Sequence, residues 1–174
     1  MNKHQEFAII GPGVMAEAMI IGLLKNKVVQ PENITAAGPR QARLDELQDR
    51  FQILTTTDNA SAAKNADVLI LCVKPQKLQE VTKDLQAKIP EKALLISIIA
   101  GATMESLSDG LKHPIVVRAM PNTPAQVGEG MTVWTQSPKT SSVQHDLAQQ
   151  ILAALGREIF VEEESYIDMA TAVS

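Results

Sequence analysis

Phe7-Ala8-Ile9-Ile10-Gly11-Pro12-Gly13-Val14-Met15-Ala16 joins a short apolar run to a helical pattern through two glycines. Beyond it Ala16, Met19, Ile20, Leu23 and Leu24 recur at the three-and-four spacing of one helix face, so the stretch reads strand, turn, helix. In that context a G-x-G-x-x-A pattern has a mechanical meaning. Gly11 permits the tight turn, Gly13 lets the backbone approach a pyrophosphate, and Ala16 keeps helix and strand in near contact. The free N–H groups and positive dipole end at the helix start attract phosphate. A glycine turn without a ligand competes for the motif taken alone; the strand before it and the helix after it favour dinucleotide binding.

Working outward, strand-like runs follow at Ile34 to Ala37, Ile53 to Thr55, Val68 to Val73, Leu94 to Ile99, Ile115 to Arg118, Met131 to Thr135 and Glu158 to Val161. The early ones are continuously apolar, as strands buried on both faces are. Helical patterns lie between them: Leu44, Leu47 and Phe51; a short helix capped by Asp58 or Asn59; Leu78, Val81 and Leu85; and a helix opened by Thr103 with Glu105 in its first turn. After a loop at Thr135 to Ser142, Val143, Leu147, Ile151, Leu152 and Leu155 form one face of a last helix, with Gly156 expected as its C-cap. Alternation of this kind predicts the α/β class: a Rossmann-type, doubly wound, mainly parallel sheet with helices on both faces.

The 174 residues suit one domain and perhaps a stub. Apolar residues make up 45%, with only one Trp, one Tyr and three Phe, so aliphatic side chains build the interior. The net charge of −4 and the scattered Lys and Arg residues argue against a nucleic-acid partner. The apolar runs fall far short of the ~20 residues a bilayer span needs, and Met1 to Phe7 is polar, so no membrane partner and a cytoplasmic location are expected. Cys72 is the single cysteine and sits in an apolar run, which predicts a packing role. His4, His113 and His145 are too dispersed for a metal set, and no metal is expected.

An NAD site normally places a carboxylate about 20 residues beyond the glycines. Here the segment reads Ile34-Thr35-Ala36-Ala37-Gly38-Pro39-Arg40, without one. Arg40, with Arg43 nearby, suits a 2′-phosphate, so NADP(H) is preferred and NAD(H) is the alternative; ordinary solvated arginines are the competing reading. Two more segments fall beyond strand ends, where such folds bind ligands: Cys72-Val73-Lys74-Pro75-Gln76 and Ile98-Ile99-Ala100-Gly101-Ala102. A solvated lysine competes with a ligand role for Lys74. In Arg118-Ala119-Met120-Pro121-Asn122-Thr123-Pro124-Ala125, two prolines would fix a loop that presents Asn122 and Thr123.

The fingerprint, Val-Lys-Pro-Gln, Ile-Ala-Gly and Arg-Ala-Met-Pro-Asn-Thr-Pro-Ala, in that order, resemble pyrroline-5-carboxylate reductase over the whole chain. The final Tyr166-Ile167-Asp168-Met169-Ala170-Thr171-Ala172-Val173-Ser174 resembles the start of that family's interdomain helix. The resemblance implies residues 1–162 as an NAD(P)-binding domain and 163–174 as the start of a helix leading to a helical C-terminal domain missing from this sequence. It implies NAD(P)H-dependent reduction of 1-pyrroline-5-carboxylate to L-proline, the last step of proline biosynthesis, by a homodimer or larger homo-oligomer.

The same resemblance implies that Gly11, Pro12, Gly13, Val14, Met15 and Ala16 hold the pyrophosphate, and that Ala37, Gly38, Pro39, Arg40 and Asn59 lie on the adenosine side. Cys72, Val73, Lys74 and Pro75 would border the cofactor, with Ile99, Ala100, Gly101, Asn122 and Thr123 toward the nicotinamide. No catalytic residue is assigned. Three departures from the family pattern stand out: Pro12 stiffens the turn, Cys72 replaces a common Ala, and Ala37-Gly38 lack the hydroxyls often found beside a 2′-phosphate. A non-catalytic NADP(H)-binding regulator and a related imine or hydroxy-acid dehydrogenase are the alternatives. The chain alone is expected to bind cofactor and scarcely turn over.

Overall fold

The computed structural model describes residues 5–172; His4, Val173 and Ser174 lie outside the described residues. Three apolar runs become β1 (Phe7–Ile10), β4 (Val68–Leu71) and β5 (Leu94–Ser97), each buried along its whole length. With β2 (Ile34–Ala37), β3 (Leu54–Thr56), β6 (Val116–Pro121), β7 (Gly130–Gln136) and β8 (Gly156–Phe160) they form one eight-stranded sheet in the order β3-β2-β1-β4-β5-β6-β7-β8. Every neighbouring pair is parallel except β6 with β7. The chain moves outward from β1 to β3 and then returns to the other side of β1 at β4, which creates a topological switch point between β1 and β4.

Because successive strand residues point to opposite faces, the flush register of Phe7 with Ile34 and Val68 sorts the core into two layers. Phe7, Ile9, Ile70 and Ile96 pack with Ala16, Met19, Ile20 and Leu23 of α1 (Val14–Lys25), Leu47 of α2 (Gln41–Phe51) and Ile151 and Leu152 of α6 (Ser142–Ala153). Ala8, Ile10, Leu69 and Leu95 pack with Ala63 of α3 (Asn59–Ala63), Val81 and Leu85 of α4 (Leu78–Leu85) and Leu107 and Leu111 of α5 (Met104–Leu111). Burial of each Ile or Leu contributes about 1.5–3 kcal/mol, so the double-sided layers hold the strand ends in fixed register.

Helix starts follow the expected capping chemistry. The Asp58 carboxylate accepts from the N–H groups of Ala60 and Ser61, Thr103 accepts from Ser106, and Ser141 with Gln144 forms a capping box. At the α5–β6 corner His113 is buried, and its Nε2–H donates to the Ala93 carbonyl at 2.8 Å. Burial holds the His113 pKa below its ordinary value, against the pull of that bond.

Several boundaries differ from the sequence reading. β4 stops at Leu71 and β5 at Ser97, short of Val73 and Ile99, because apolar character outlasts the ladder. β6 runs on through Met120 and Pro121, where it pairs with β7, so the proline-bracketed loop is half strand. Gly156 is not the C-cap of α6. That helix ends at Ala153 with Ala154 as its cap, and Gly156 opens β8 at φ +130°. A Cβ on Gly156 would lie 2.4 Å from the Gly130 carbonyl oxygen, so close strand approach explains this glycine. Val143, assigned to the buried face of α6, is 75% exposed. Ile167 of α7 (Ser165–Ala172) is buried, while Tyr166 and Met169 face outward.

Candidate functional site

Parallel strands place the carboxyl ends of β1, β2, β4, β5 and β6 along one edge of the sheet, and the expected site residues sit there. At the end of β1 the Gly11 N–H donates to Ala37 O at 2.9 Å and Gly13 N–H returns to Gly11 O at 2.8 Å, closing the turn. Gly11 has φ +91°, and a Cβ there would meet Val73 Cγ1 at 2.6 Å and Val73 N at 2.8 Å. Only glycine satisfies both demands. Gly13, the N-cap of α1, has nothing within 4 Å of its absent Cβ, and no side chain caps the helix. The first turn of α1 therefore presents unsatisfied backbone donors beside open space, the arrangement that receives an anion. Ala16 is wholly buried and acts by close packing, while Val14 is exposed and Met15 half-buried.

Pro12 explains Gly38. A Cβ on Gly38 would lie 2.3 Å from Pro12 Cδ, so the stiffened turn and the end of β2 touch where a side chain would otherwise stand. Arg43 is not available for a phosphate, which corrects the pairing of Arg40 with Arg43. Its Nε donates to Pro12 O at 3.0 Å, and its guanidinium pairs with Glu46 at 2.8 Å and with Glu17. Burial works against the charged forms, yet the mutual hydrogen bonds, with Arg50 joining Glu17, hold the Glu17 carboxyl below and the Arg43 guanidinium above their ordinary values. Arg43 thus braces the turn from behind. Arg40, at the N-cap of α2, is exposed, and its side chain has no partner among the described residues.

Ile10, Gly11, Gly38, Pro39, Asn59 and Val73 share a cavity of about 190 Å³ with residues of α4. Asn59 Nδ2 donates to Asp84 Oδ2 at 3.1 Å, and its Oδ1 is buried without a partner among the described residues. Cys72 is half-buried against the core, its N–H bonded to Ile10 O at 2.8 Å, and burial pushes its thiol up to about 12, so no thiolate is on offer. Lys74 is exposed and without a partner among the described residues, and Pro75 opens the single turn that leads into α4.

Farther along the edge, Ser97 Oγ accepts the Ile99 N–H at 3.3 Å, and the Ile99 side chain is buried in the core. Ala100 is half-buried, and Gly101, at φ +74°, stands in open space. Asn122 is engaged structurally: its Oδ1 accepts the Met131 N–H at 2.9 Å and its own N–H donates to Met131 O at 3.2 Å. Its Nδ2 remains as a donor, and Thr123 is exposed.

The sequence reading missed the network behind this edge. Arg118, 1% exposed on β6, pairs with Glu164 at 2.8 Å and Asp168 of α7 at 2.6 Å. Glu164 Oε1 also accepts the Met104 N–H at 2.8 Å, so one carboxylate ties β6, α5 and the approach to α7. Among the described residues no group of three or more His, Cys, Asp or Glu side chains is placed to hold a metal ion, and no helix is long and apolar enough to cross a membrane.

The open fingerprint turn on a doubly wound sheet defines a dinucleotide-binding domain, and the chain belongs to the family described as NADP oxidoreductase coenzyme F420-dependent, which matches residues 6–101. Within that class it is similar to pyrroline-5-carboxylate reductases over nearly its whole length. The enzyme of that name from Synechocystis sp. is 40% identical over 169 residues, 97% of this chain and 62% of the relative. The pyrroline-5-carboxylate reductase structure from Coxiella burnetii superposes with a TM-score of 0.93 at 34% identity, over 98% of this chain and 64% of that one. The Plasmodium falciparum pyrroline carboxylate reductase with NADP bound shares the fold, with a TM-score of 0.86 at 24% identity over 99% of this chain and 63% of that one. The chain thus spans less than two thirds of the length of these relatives.

Proposed function

We propose that this chain supplies the coenzyme side of an NAD(P)H-dependent reductase that converts 1-pyrroline-5-carboxylate to L-proline, with NADP(H) preferred. The observation that carries the reading is the fingerprint turn: an uncapped α1 start, a Gly13 with open space before it and a Gly11 that no other residue can replace. These features fit a pyrophosphate, since they pair backbone donors with room for a close approach. In this reading Gly11 to Ala16 hold the pyrophosphate, Ala37 to Arg40 and Asn59 face the adenosine, and Cys72 to Pro75 border it. The Ile99 to Gly101 backbone, Asn122 Nδ2 and Thr123 face the nicotinamide. The absence of a carboxylate at the end of β2 and the exposed Arg40, without a side-chain partner among the described residues, support a 2′-phosphate.

When bound, the coenzyme supplies a hydride for the carbon of a cyclic imine. The chain's own work is to orient and to exclude water: Gly101 leaves clearance, and the Asn122–Met131 bonds fix the loop that closes on the reacting face. Residues 1–162 form the coenzyme domain in this proposal. Residues 163–174 begin the helix leading to a helical domain that completes the substrate pocket and the homodimer, in the cytoplasm.

Calorimetric titration of the chain with NADPH and NADH tests the assignment. NADPH is expected to bind more tightly, and Arg40→Ala to weaken it by about tenfold while sparing NADH, as loss of one charge-assisted contact implies. Equal affinities would overturn the NADP(H) preference, and no binding of either would overturn the dinucleotide site.

A further inference from the structure

The cavity beside the fingerprint turn contains charge that the roles above leave without a use. One wall is Gly38 and Pro39; another is α4 along its length with the turn before it, which contribute Lys77, Glu80 and Asp84. Among the described lining residues Lys77 is the one cation. Its Nζ lies 2.8 Å from Glu80 Oε2, with the two side chains 64% and 67% exposed. An exposed pair three residues apart on one helix is weak, because water and salt compete for both charges. Lys77 is therefore easily redirected. Asp84 is not, since it already accepts the Asn59 amide.

At the end of β2 the lining residues Gly38 and Pro39 have no donor for a phosphate, since the Gly38 N–H is bonded to Thr56 O at 3.2 Å and proline has none; Arg40 is the next residue in the chain, and Thr57 has the one hydroxyl among the described lining residues. A phosphate monoester carries about −1.5 to −2 charges near neutrality and outcompetes a single carboxylate for an ammonium, whereas a ribose 2′-hydroxyl carries no charge and leaves the pair intact. Lysine suits such an exchange, as a point charge with rotatable donors on a flexible stem.

We propose that the Lys77–Glu80 pair discriminates between coenzymes: Lys77 leaves Glu80 to become, with Arg40, the second cation for the 2′-phosphate, and Glu80 then repels that phosphate and tempers the preference. The inference rests on the NADP(H) reading above. It requires NADPH affinity to depend on both residues with opposite signs, and NADH affinity to depend on neither.

Titrations of the chain with NADPH and NADH at low ionic strength, for the wild type, Lys77→Ala, Glu80→Gln and Arg40→Ala, test it. Lys77→Ala is expected to weaken NADPH about fivefold and Glu80→Gln to strengthen it about two- to threefold, with NADH unchanged. Both effects should shrink in added salt. Both side chains are exposed, so the variants retain the fold. Unchanged NADPH affinity in Lys77→Ala, or weaker NADPH binding in Glu80→Gln, would overturn the proposal. An NADPH preference lost in Arg40→Ala but untouched in Lys77→Ala removes this proposal alone. A wild type that binds both coenzymes equally, or neither, removes the NADP(H) reading and this inference with it.

Discussion

At the ends of β1 and β2 the chain withdraws its side chains, whereas on β6 it drives a full-length arginine into the interior. The first region leaves Gly13 open and α1 uncapped. The second surrounds Arg118 with Glu164 and Asp168 and ties Glu164 onward to Met104. Both regions handle unpaired polar groups, by opposite means. Donors left facing solvent are ready for a ligand, while a charge taken from solvent must find partners within the chain. In the proposed reading exposed unsatisfied backbone therefore marks the binding region, and internal pairing marks where the framework is held.

The largest test of that contrast is Arg118→Met. Removing the buried member of the network should cost about 3 kcal/mol, at the low end for a broken buried pair because Glu164 and Asp168 are 26% and 62% exposed and can turn to water. The midpoint of urea unfolding measures it, and NADPH affinity should stay within about twofold. A large loss of coenzyme affinity with little loss of stability would erase the distinction between the two regions.

Gly13→Val tests the other side. The added Cβ meets no protein atom within 4 Å apart from its chain neighbours, so stability should change by less than about 0.5 kcal/mol while NADPH binding weakens by about thirtyfold or more, because in the proposed reading the valine occupies the pyrophosphate's approach. Calorimetry and thermal unfolding on the same sample separate the two.

The smallest effect sharpens the contrast through pH. His113 is buried neutral in the framework, and burial lowers its pKa. Below about 6.5 the unfolded chain takes up a proton that the folded chain resists, so stability falls as pH drops through that window; above it both states are neutral and the contribution vanishes. Comparing His113→Gln with wild type across this range should show a shallower acid loss in the variant. Parallel slopes would show that His113 has no part in it.

The fold was largely legible from residues 7–10, 34–37, 68–71 and 94–97, because strands buried on both faces declare themselves as apolar runs. Their ends were less so. Cys72, Val73, Ile98 and Ile99 continue the apolar character after the hydrogen-bond ladder has stopped, and hydrophobicity does not record that change. Gly156 was misread because a local cap and a distant neighbour, Gly130, call for the same residue, and only the fold brings Gly130 near. The fingerprint was legible because its chemistry is local. Arg118 was not, since its partners stand 46 and 50 positions away. Arg43 shows the same limit: sequence placed it near a phosphate, and folding turned it onto Pro12 and Glu17.

The contact between Pro12 and Gly38 constrains the order in which this site can change. A residue carrying a hydroxyl at position 38 would need a Cβ where Pro12 Cδ stands 2.3 Å away. Such a residue is excluded while the proline remains, however useful its hydroxyl would be to a 2′-phosphate. Position 12 must mutate first, and any lineage or directed-evolution campaign that samples position 38 in the present background will find the improvement hidden behind its neighbour.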